Sequence, residues 1–235
     1  MKTSVVCALV LALSSVGVRA QSKEYTVNVG DFNELKVTSA INVDYVCSAD
    51  SAGTIRFTAE PDMVSAIEAQ VKKGRLRISV KDDEGKLPAG PLPTVTVYSG
   101  SLLKVENEGD STVRVLSSAP VPAFSARLIG NGALVVRNVK ATTVDCSLLA
   151  GHGRLVIYGE CTDARFNLTG TGIMQADGLN AVNASCFATG TGEIGVNAKK
   201  IKVSGAGSSI VYYVGSPVIT KSLAIGVKIL PLEEK

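Results

Sequence analysis

Histidine, the side chain best suited to proton transfer near neutral pH, occurs once in this 235-residue chain, as His152. It stands between two glycines, and no serine, cysteine or carboxylate lies immediately beside it to form a catalytic or metal-binding pair. Other Gly-x-Gly triplets carry Asn131, Thr171, Thr191 or Ala206 at the same middle position. A position that accepts such different side chains is typical of an exposed turn, so we expect His152 to be a corner residue.

Carboxylates near the triplets are the next candidates for chemistry. Cleavage of a polysaccharide requires two carboxyl groups that converge on one bond, commonly with a basic residue beside them. Four carboxylates fall near the triplets but at unequal offsets from them: Asp145, Asp163, Asp177 and Glu193. Unequal offsets do not build a column on a repeating fold. The sequence therefore predicts no catalytic residue, no cofactor and no metal site.

The elements that would position any site are set by a repeat. Gly-x-Gly triplets recur at intervals of 21, 19, 20 and 15 residues in the second half of the chain. A short alternating apolar strand precedes and follows each triplet, and glycine between two strands permits a tight corner that a Cβ would obstruct. This pattern predicts a solenoid whose coils stack in parallel, with a second corner near residues 138–139, 159–160, 177–178 and 197–198. The predicted corner glycines are Gly130, Gly132, Gly151, Gly153, Gly170, Gly172, Gly190, Gly192, Gly205 and Gly207.

Cysteine usage leaves the redox state open. Cys47, Cys146, Cys161 and Cys186 follow residue 20, and an even number in an exported chain permits two disulfides. No Cys-x-x-Cys unit is present. Aligned on their triplets, Cys146 and Cys186 lie one coil position apart with a whole coil between them, and coils ~4.8 Å apart place them beyond the ~7 Å that a disulfide spans. Buried free thiols are the favoured state.

Composition divides the chain into three parts. Residues 1–20 combine an early lysine, an apolar run and Val18-Arg19-Ala20, which predicts a signal peptide cleaved before Gln21. Residues 21–98 predict an N-terminal β unit with one short helix after Pro61 and a hairpin that turns at residues 72–74. A stretch rich in charge, glycine and proline at residues 81–93 predicts a loop. Residues 99–235 predict the β-helix with Gly-x-Gly corners.

Charge and composition bear on the partners. Removal of the signal peptide would remove Lys2 and Arg19, leaving 22 of the 24 basic residues and all 21 acidic residues, a net charge of +1. Basic runs do not exceed two or three residues and Trp is absent, so the sequence predicts no nucleic-acid partner. Apolar stretches after the signal peptide are short and interrupted, so no membrane span is predicted.

The segment at residues 32–43, Phe-Asn-Glu-Leu-Lys-Val-Thr-Ser-Ala-Ile-Asn-Val, together with the hairpin and the ordered triplets, resembles the bacterial family called "putative auto-transporter adhesin, head GIN domain". The resemblance covers about residues 25–222. It implies an all-β fold: a right-handed parallel β-helix with coils of about twenty residues, arranged as two β-helical units packed at an angle. It implies no catalytic residues, because the family has none established.

Together these features predict an exported, non-enzymatic protein, periplasmic, displayed at the cell surface or secreted, that recognises a glycan or a protein along its coil faces. One alternative is a carbohydrate-active enzyme on a pectin-lyase-like β-helix, which would need converging carboxylates in a cleft. Another is a structural envelope or assembly protein, which a large apolar patch at a coil end would favour. The sequence assigns no ligand-binding residue and no oligomeric state.

Overall fold

The computed structural model describes residues 22–81 and 91–232. The predicted signal peptide and most of the predicted loop at residues 81–93 lie outside these ranges. The described residues form one seventeen-stranded sheet and one four-residue helix. The predicted all-β solenoid is confirmed.

The elements follow one another in this order. The N-terminal part comprises β1 (Lys23–Asn28), β2 (Glu34–Val37), β3 (Val43–Cys47), β4 (Thr54–Ala59), α1 (Pro61–Val64), β5 (Ile67–Lys72), β6 (Arg75–Val80) and β7 (Val95–Ser99). The C-terminal part comprises β8 (Lys104–Asn107), β9 (Thr112–Val115), β10 (Val121–Ile129), β11 (Ala133–Leu149), β12 (Arg154–Gly170), β13 (Ile173–Gly190), β14 (Glu193–Gly207), β15 (Ile210–Tyr213), β16 (Val218–Ile225) and β17 (Lys228–Pro231).

Period-two alternation places one face of each strand inside the solenoid. In β4, Ile55 and Phe57 are buried while Arg56 and Thr58 are exposed, as expected when successive side chains point to opposite faces. The predicted hairpin is confirmed: β5 and β6 pair antiparallel across the turn at residues 72–75. The predicted short helix is also confirmed and begins at Pro61, a position that lacks an intrahelical partner for its nitrogen.

The strands stack into two ladders on opposite sides of the coils. The first ladder runs in the order β6, β2, β8, β10, the second halves of β11 to β14, and β16. The second runs in the order β7, β3, β9, the first halves of β11 to β14, β15 and β17. The long strands bend from one ladder to the other where their register shifts, as between Val136 and Val139, at the predicted second corner.

The stacking order differs from the chain order near the N-terminus. The coil of β2 and β3 precedes the coil of β6 and β7 in sequence, yet β2 lies between β6 and β8, and β3 lies between β7 and β9. The first coil is thus interlocked between the two that follow it. The division into two units at residue 98 and the angle between them stay predictions. Strands from both sides of residue 98 pair directly, since β2 pairs with β8 and β3 pairs with β9.

The two ends of the stack are closed differently. At the N-terminal end, β5 pairs antiparallel with β6, and β4 with β1 beyond it continues antiparallel from β7. At the C-terminal end, β16 pairs with β14 and β17 with β15, and no other described strand covers their outer edges. Aliphatic side chains fill the coils between these ends, with Tyr45, Phe124 and Phe166 as the largest fully buried residues.

Candidate functional site

The first glycine of a corner is required by its backbone conformation. The φ angle is 96° at Gly130, 78° at Gly151, 121° at Gly170 and 112° at Gly190. Side chains are rarely tolerated at positive φ because the Cβ then crowds the backbone. These residues therefore let the chain reverse from the first ladder to the second within a few residues.

The second glycine of a corner is required by the coil beneath it. A Cβ would lie 2.7 Å at Gly153, 2.6 Å at Gly172 and 2.5 Å at Gly192 from a carbonyl oxygen of the neighbouring coil. A Cβ at Gly132 would collide with the carbonyl oxygen of Gly109. These contacts are too short for carbon and oxygen, so the stacked backbones leave no room for a side chain.

The prediction that Gly205 forms a corner is wrong. Gly205 lies within β14 opposite Ala188, and the glycine that pairs with Gly190 is Gly207. The corner of this coil consists of residues 207–209, with the fully buried Ser209 in the place of the second glycine. The glycine spacing misled because Gly205 has a different constraint, a Cβ there colliding with the carbonyl oxygen of Ala188.

One corner uses an asparagine that the sequence analysis missed. Asn107 is fully buried, and its amide nitrogen donates to the carbonyl oxygens of Ser111 and Ala133, both at 3.0 Å. Its side-chain oxygen accepts a hydrogen bond from the backbone nitrogen of Gly109 at 3.0 Å. The amide thus satisfies backbone groups at a corner that lacks the second glycine. The sequence signal for this corner is Gly109, which lies 21 residues before Gly130, close to the spacing of the triplets.

His152 is an exposed corner residue that contacts both neighbouring corners. Its backbone nitrogen donates to Asn131 Oδ1 at 3.0 Å. Its Nδ1 lies 2.7 Å from Thr171 Oγ1, which also lies 3.0 Å from the carbonyl oxygen of Gly151. A hydroxyl carries one proton, so if Thr171 donates to the carbonyl it accepts from a protonated Nδ1. The side chain joins adjacent coils, its hydrogen-bond partner is the Thr171 hydroxyl, and no described carboxylate forms an ion pair with it.

The candidate carboxylates do not converge. Asp145 forms an exposed ion pair with Arg165 of the next coil at 3.7 Å, and Asp163 accepts a hydrogen bond from the Asn183 amide at 2.9 Å. Of the other two, Glu193 begins β14 in the second ladder, and Asp177 lies at the corner where the register of β13 shifts. Within residues 22–81 and 91–232, no group of three or more His, Cys, Asp and Glu residues could hold a metal ion.

The four cysteines of the described ranges are free, and the register corrects their relative positions. Cys146, Phe166 and Cys186 lie in register in three successive coils, so the two cysteines occupy the same coil position. Counting from the glycine triplets suggested a difference of one position, because the corner after Cys146 contains one additional residue, Ala150, at φ 59°. Burial raises the pKa of the Cys146 thiol and raises the pKa of Cys186 to about 12. Burial and a nearby carboxylate raise the pKa of Cys161 to about 11. These thiols are therefore protonated and weakly nucleophilic at neutral pH.

The most distinctive polar surface is a cleft of about 500 Å³ at the β5–β6 hairpin. The cleft is lined by Glu34, Lys36, Gln70, Lys72, Lys73, Arg75 and Arg77. We call it the basic cleft. Its turn has positive φ at Lys73 (52°) and Gly74 (74°), which fits a two-residue hairpin turn. The Gly74 carbonyl accepts hydrogen bonds from the backbone nitrogens of Asn33 and Glu34, so the turn is held against the chain that leads into β2.

Some cations of the basic cleft are neutralised and others are not. Arg75 forms an ion pair with Glu34 at 2.6 Å, and Lys36 is paired as described below. Lys72, Lys73 and Arg77 have no carboxylate within ion-pair distance among the described residues. The sequence analysis missed this cluster because it counted adjacent charges, whereas alternation brings Arg75 and Arg77 to the same face across one intervening residue.

An ion-pair network beside the basic cleft joins β2 to β8. Lys36 Nζ lies 2.8 Å from Glu106 Oε1 and 2.7 Å from Glu108 Oε1, and Lys104 Nζ lies 3.3 Å from the other Glu106 oxygen. Burial alone would raise the pKa of Glu106, but the hydrogen bond from Lys36 and the two lysine charges lower it to about 2. The charges of this network neutralise one another. The positive surface is therefore formed by Lys72, Lys73 and Arg77, which have no ion-pair partner within the described ranges.

Comparison with solved structures shows the same fold in bacterial proteins. A putative adhesin from Bacteroides fragilis shares 21% identity with a TM-score of 0.79, over 92% of this chain and 98% of that chain. A putative adhesin from Parabacteroides merdae shares 17% identity with a TM-score of 0.67, over 91% and 97%. A putative lipid binding protein from Parabacteroides distasonis shares 20% identity with a TM-score of 0.72, over 91% and 97%. At these identities the likeness shows the fold alone.

Comparison at the level of sequence gives the family. No curated protein matches the chain, and no helix in the described ranges is long and apolar enough to cross a membrane. A family model matches residues 31–217, which extend from the approach to β2 to the end of β15 and beyond. The resemblance inferred from the sequence is confirmed: the chain belongs to the family described as "Putative auto-transporter adhesin, head GIN domain".

Proposed function

We propose that this chain is an exported, non-enzymatic adhesin that binds an acidic glycan, or an acidic protein surface, in the basic cleft. The observation that carries the proposal is the presence of Lys72, Lys73 and Arg77 around one cleft, without carboxylate partners among the residues that the structure describes. Unpaired cations concentrated in a concave surface attract anionic ligands and orient them. Membership of an adhesin family supports a recognition role, and the predicted signal peptide supports a location outside the cytoplasm.

The geometry of the hairpin suits a binding site. The turn is fixed by backbone hydrogen bonds to residues 33 and 34, so the lysines at its tip are presented on a defined backbone. Arg75 is oriented by Glu34 and contributes stem packing rather than free charge. Arg77 offers a planar donor set that can bind a carboxylate, sulfate or phosphate in a bidentate manner. The expected ligand is therefore a polymer or surface with repeated negative charges.

The enzyme alternative has no support in the arrangement of the carboxylates, which are paired singly, or lie in the second ladder and at a corner. An adhesive role needs no convergent acid and base. It needs an exposed, rigid surface and complementary charge, both of which the hairpin provides.

The test compares two charge-matched variants of the chain that begins at Gln21. In the first, Lys72→Gln, Lys73→Asn and Arg77→Gln remove the free cations, with Asn at position 73 because it tolerates positive φ. In the second, Arg137→Gln, Lys140→Gln and Arg165→Gln remove the same charge from the central coils. We expect the cleft variant to bind immobilised heparin or an acidic capsule polysaccharide at least about tenfold more weakly, and the central variant to bind like the unmodified protein.

Equal losses in both variants would show that binding follows net charge and not the cleft. Absence of binding across acidic and neutral glycan arrays and acidic proteins would overturn the adhesin proposal. Protease accessibility of the protein on intact cells, compared with a cytoplasmic protein, tests its location separately.

A further inference from the structure

The C-terminal end of the solenoid carries exposed apolar side chains that the proposed adhesive site does not use. On the outer face of the first ladder, Val218 is 67% exposed, Leu223 is 84% exposed and Ile225 is 70% exposed. Phe187, two strands earlier, is 46% exposed. We call these four residues the terminal patch. Burial of large apolar side chains away from water lowers the free energy, so several of them exposed on two nearby strands indicate an interaction site.

The terminal patch encloses a shallow groove. Phe187, Leu223 and Ile225 line a depression of about 390 Å³, whose floor is formed by small residues of β14 including Gly205 and Ala206. Phe187 pairs with Ser204 and Ala206 pairs with Ile225 in register, so the groove spans three neighbouring coils. The residues between Phe187 and the apolar side chains of β16 are small, so the groove between them is not filled by a neighbouring side chain.

Lysines lie beside the terminal patch, and the chain from β14 onward contains few carboxylates. Residues 194–232 contain no Asp or Glu, and their lysines are Lys199, Lys200, Lys202, Lys221 and Lys228. Lys200 pairs in register with Val218, and Lys202 lines the groove itself. None of the five lysines forms an ion pair within the described part of the chain. Apolar side chains flanked by Lys200 and Lys202, which have no ion-pair partner among the described residues, complement a surface that is both apolar and anionic.

A second copy of the chain does not match this end. No described strand pairs with the outer edges of β16 and β17, but Lys221 is exposed on β16, and Leu223 adopts φ 49° at an irregularity in the pairing. Pro231 in β17 lacks a donor for further pairing. A lysine on an edge strand, an irregularity in the pairing and proline are devices that prevent edge-to-edge association. Joining two such ends would also bring lysines against lysines.

We propose that the terminal patch docks on the surface of an anionic lipid bilayer. The apolar side chains enter the interface between headgroups and acyl chains, and the flanking lysines lie against lipid phosphates. Each contribution alone gives weak, reversible binding, and the two together give stable attachment. Attachment depends on ionic strength because the lysine contribution is screened by salt.

The terminal patch and the basic cleft are separate surfaces on the outer face of the first ladder and share no residue. Eight strand spacings of about 4.8 Å separate β6 from β16 along the first ladder, so the two surfaces lie roughly 40 Å apart. The inference does not depend on the ligand proposed for the cleft.

The test measures flotation of the chain from Gln21 to Lys235 with vesicles rich in phosphatidylglycerol and with vesicles of phosphatidylcholine alone. One variant replaces the apolar side chains, Leu223→Asn and Ile225→Thr, with residues that suit the backbone at each position. Another replaces the charge, Lys200→Gln, Lys202→Gln and Lys221→Gln. The cleft variant described above is the matched control, since it removes three cations at the opposite end.

We expect the unmodified chain and the cleft variant to float with anionic vesicles and both patch variants to bind at least about tenfold more weakly. Neutral vesicles should capture little of any protein, and soluble glycerol phosphate should not compete. Loss of flotation in the cleft variant, unchanged flotation in both patch variants, or no flotation of the unmodified chain would overturn the proposal. So would sedimentation as a dimer that only the patch variants abolish. Circular dichroism melting curves confirm that each variant is folded.

Discussion

A corner glycine of this solenoid excludes a side chain for one of two reasons, and Gly170 and Gly190 separate them. Both residues have positive φ, 121° and 112°. At Gly170 the nearest atom to an added Cβ lies at 3.5 Å, an ordinary contact. At Gly190 the Cβ would collide with the carbonyl oxygen of Gly170 and lie 3.1 Å from its carbonyl carbon. Gly190 therefore has both a conformational and a steric constraint.

We predict that Gly190→Ala lowers the free energy of unfolding by about 1–3 kcal/mol more than Gly170→Ala. Each substitution carries the cost of a Cβ at positive φ, about 1–2 kcal/mol, and only the first also forces two coils apart. Urea denaturation of both variants measures the difference. Thr191→Ala, at the exposed middle position of the same corner, should change stability by less than about 0.5 kcal/mol. Equal losses at Gly170 and Gly190 would mean that the stacked coils move apart freely.

Residue patterns predicted most corners but assigned one of them wrongly. The glycine spacing reflects a real steric repeat, so the solenoid and four of its corners followed from the sequence. Gly205 was misassigned and Ser209 and Asn107 were missed, because the corner requires space and backbone partners and not glycine as such. Only the register between coils distinguishes a glycine in a corner from a glycine within a strand.

At the scale of elements, the Lys36 network holds the interlocked first coil. Lys36 of β2 bridges to Glu106 and Glu108, which lie 70 and 72 residues later in the chain. The pKa of Glu106 is lowered from 4.5 to about 2, so its carboxylate stabilises the folded state above the ordinary pKa. That stabilisation is lost as pH falls through the folded-state value, in the window between about pH 5 and pH 2.

We predict that Lys36→Met destabilises the chain by about 1–3 kcal/mol at pH 7, because Glu106 is left with little solvent and a weaker partner in Lys104. The loss of stability between pH 5 and pH 2 should be shallower in the variant than in the unmodified chain, since less of the pKa shift remains. Denaturation curves recorded across this range measure both effects. Lys140→Met breaks an exposed pair with Glu160 whose side chains are 62% and 63% accessible, and should have little effect. Parallel pH profiles for Lys36→Met and the unmodified chain would contradict the prediction.

Sequence patterns could not predict the order in which the elements stack. Alternation identifies a strand and its buried face, and it identified β2, β3 and the hairpin. It does not identify the neighbour, because every strand of a solenoid presents similar aliphatic residues such as Leu35, Leu76 and Val105 to the interior. The basic cleft depends on that order as well, since β2 reaches the hairpin only because the first coil lies beside the second.

At the scale of the whole molecule, the interlocked coil decides whether the predicted boundary at residue 98 separates independent units. The outer strands of the C-terminal part, β8 and β9, are each covered by a strand of the N-terminal part, β2 and β3. Removing the N-terminal part would leave the edges of β8 and β9 without their parallel partners β2 and β3. It would also expose the apolar interior of a coil. Repeat proteins require a cap at such ends to remain soluble.

We predict that a fragment of residues 99–235 fails to form a stable monomer. Its exposed β8 and β9 edges contain no proline and adjoin the uncovered apolar interior of a coil, so it should aggregate or remain largely unfolded. A fragment of residues 30–235 is the matched control, because it loses only β1, an outer strand paired with β4. Size-exclusion chromatography and thermal melting of the two fragments and of the chain from Gln21 compare their states. A monomeric 99–235 fragment that melts near the temperature of the longer chain would establish the boundary at residue 98 as a true division between folding units.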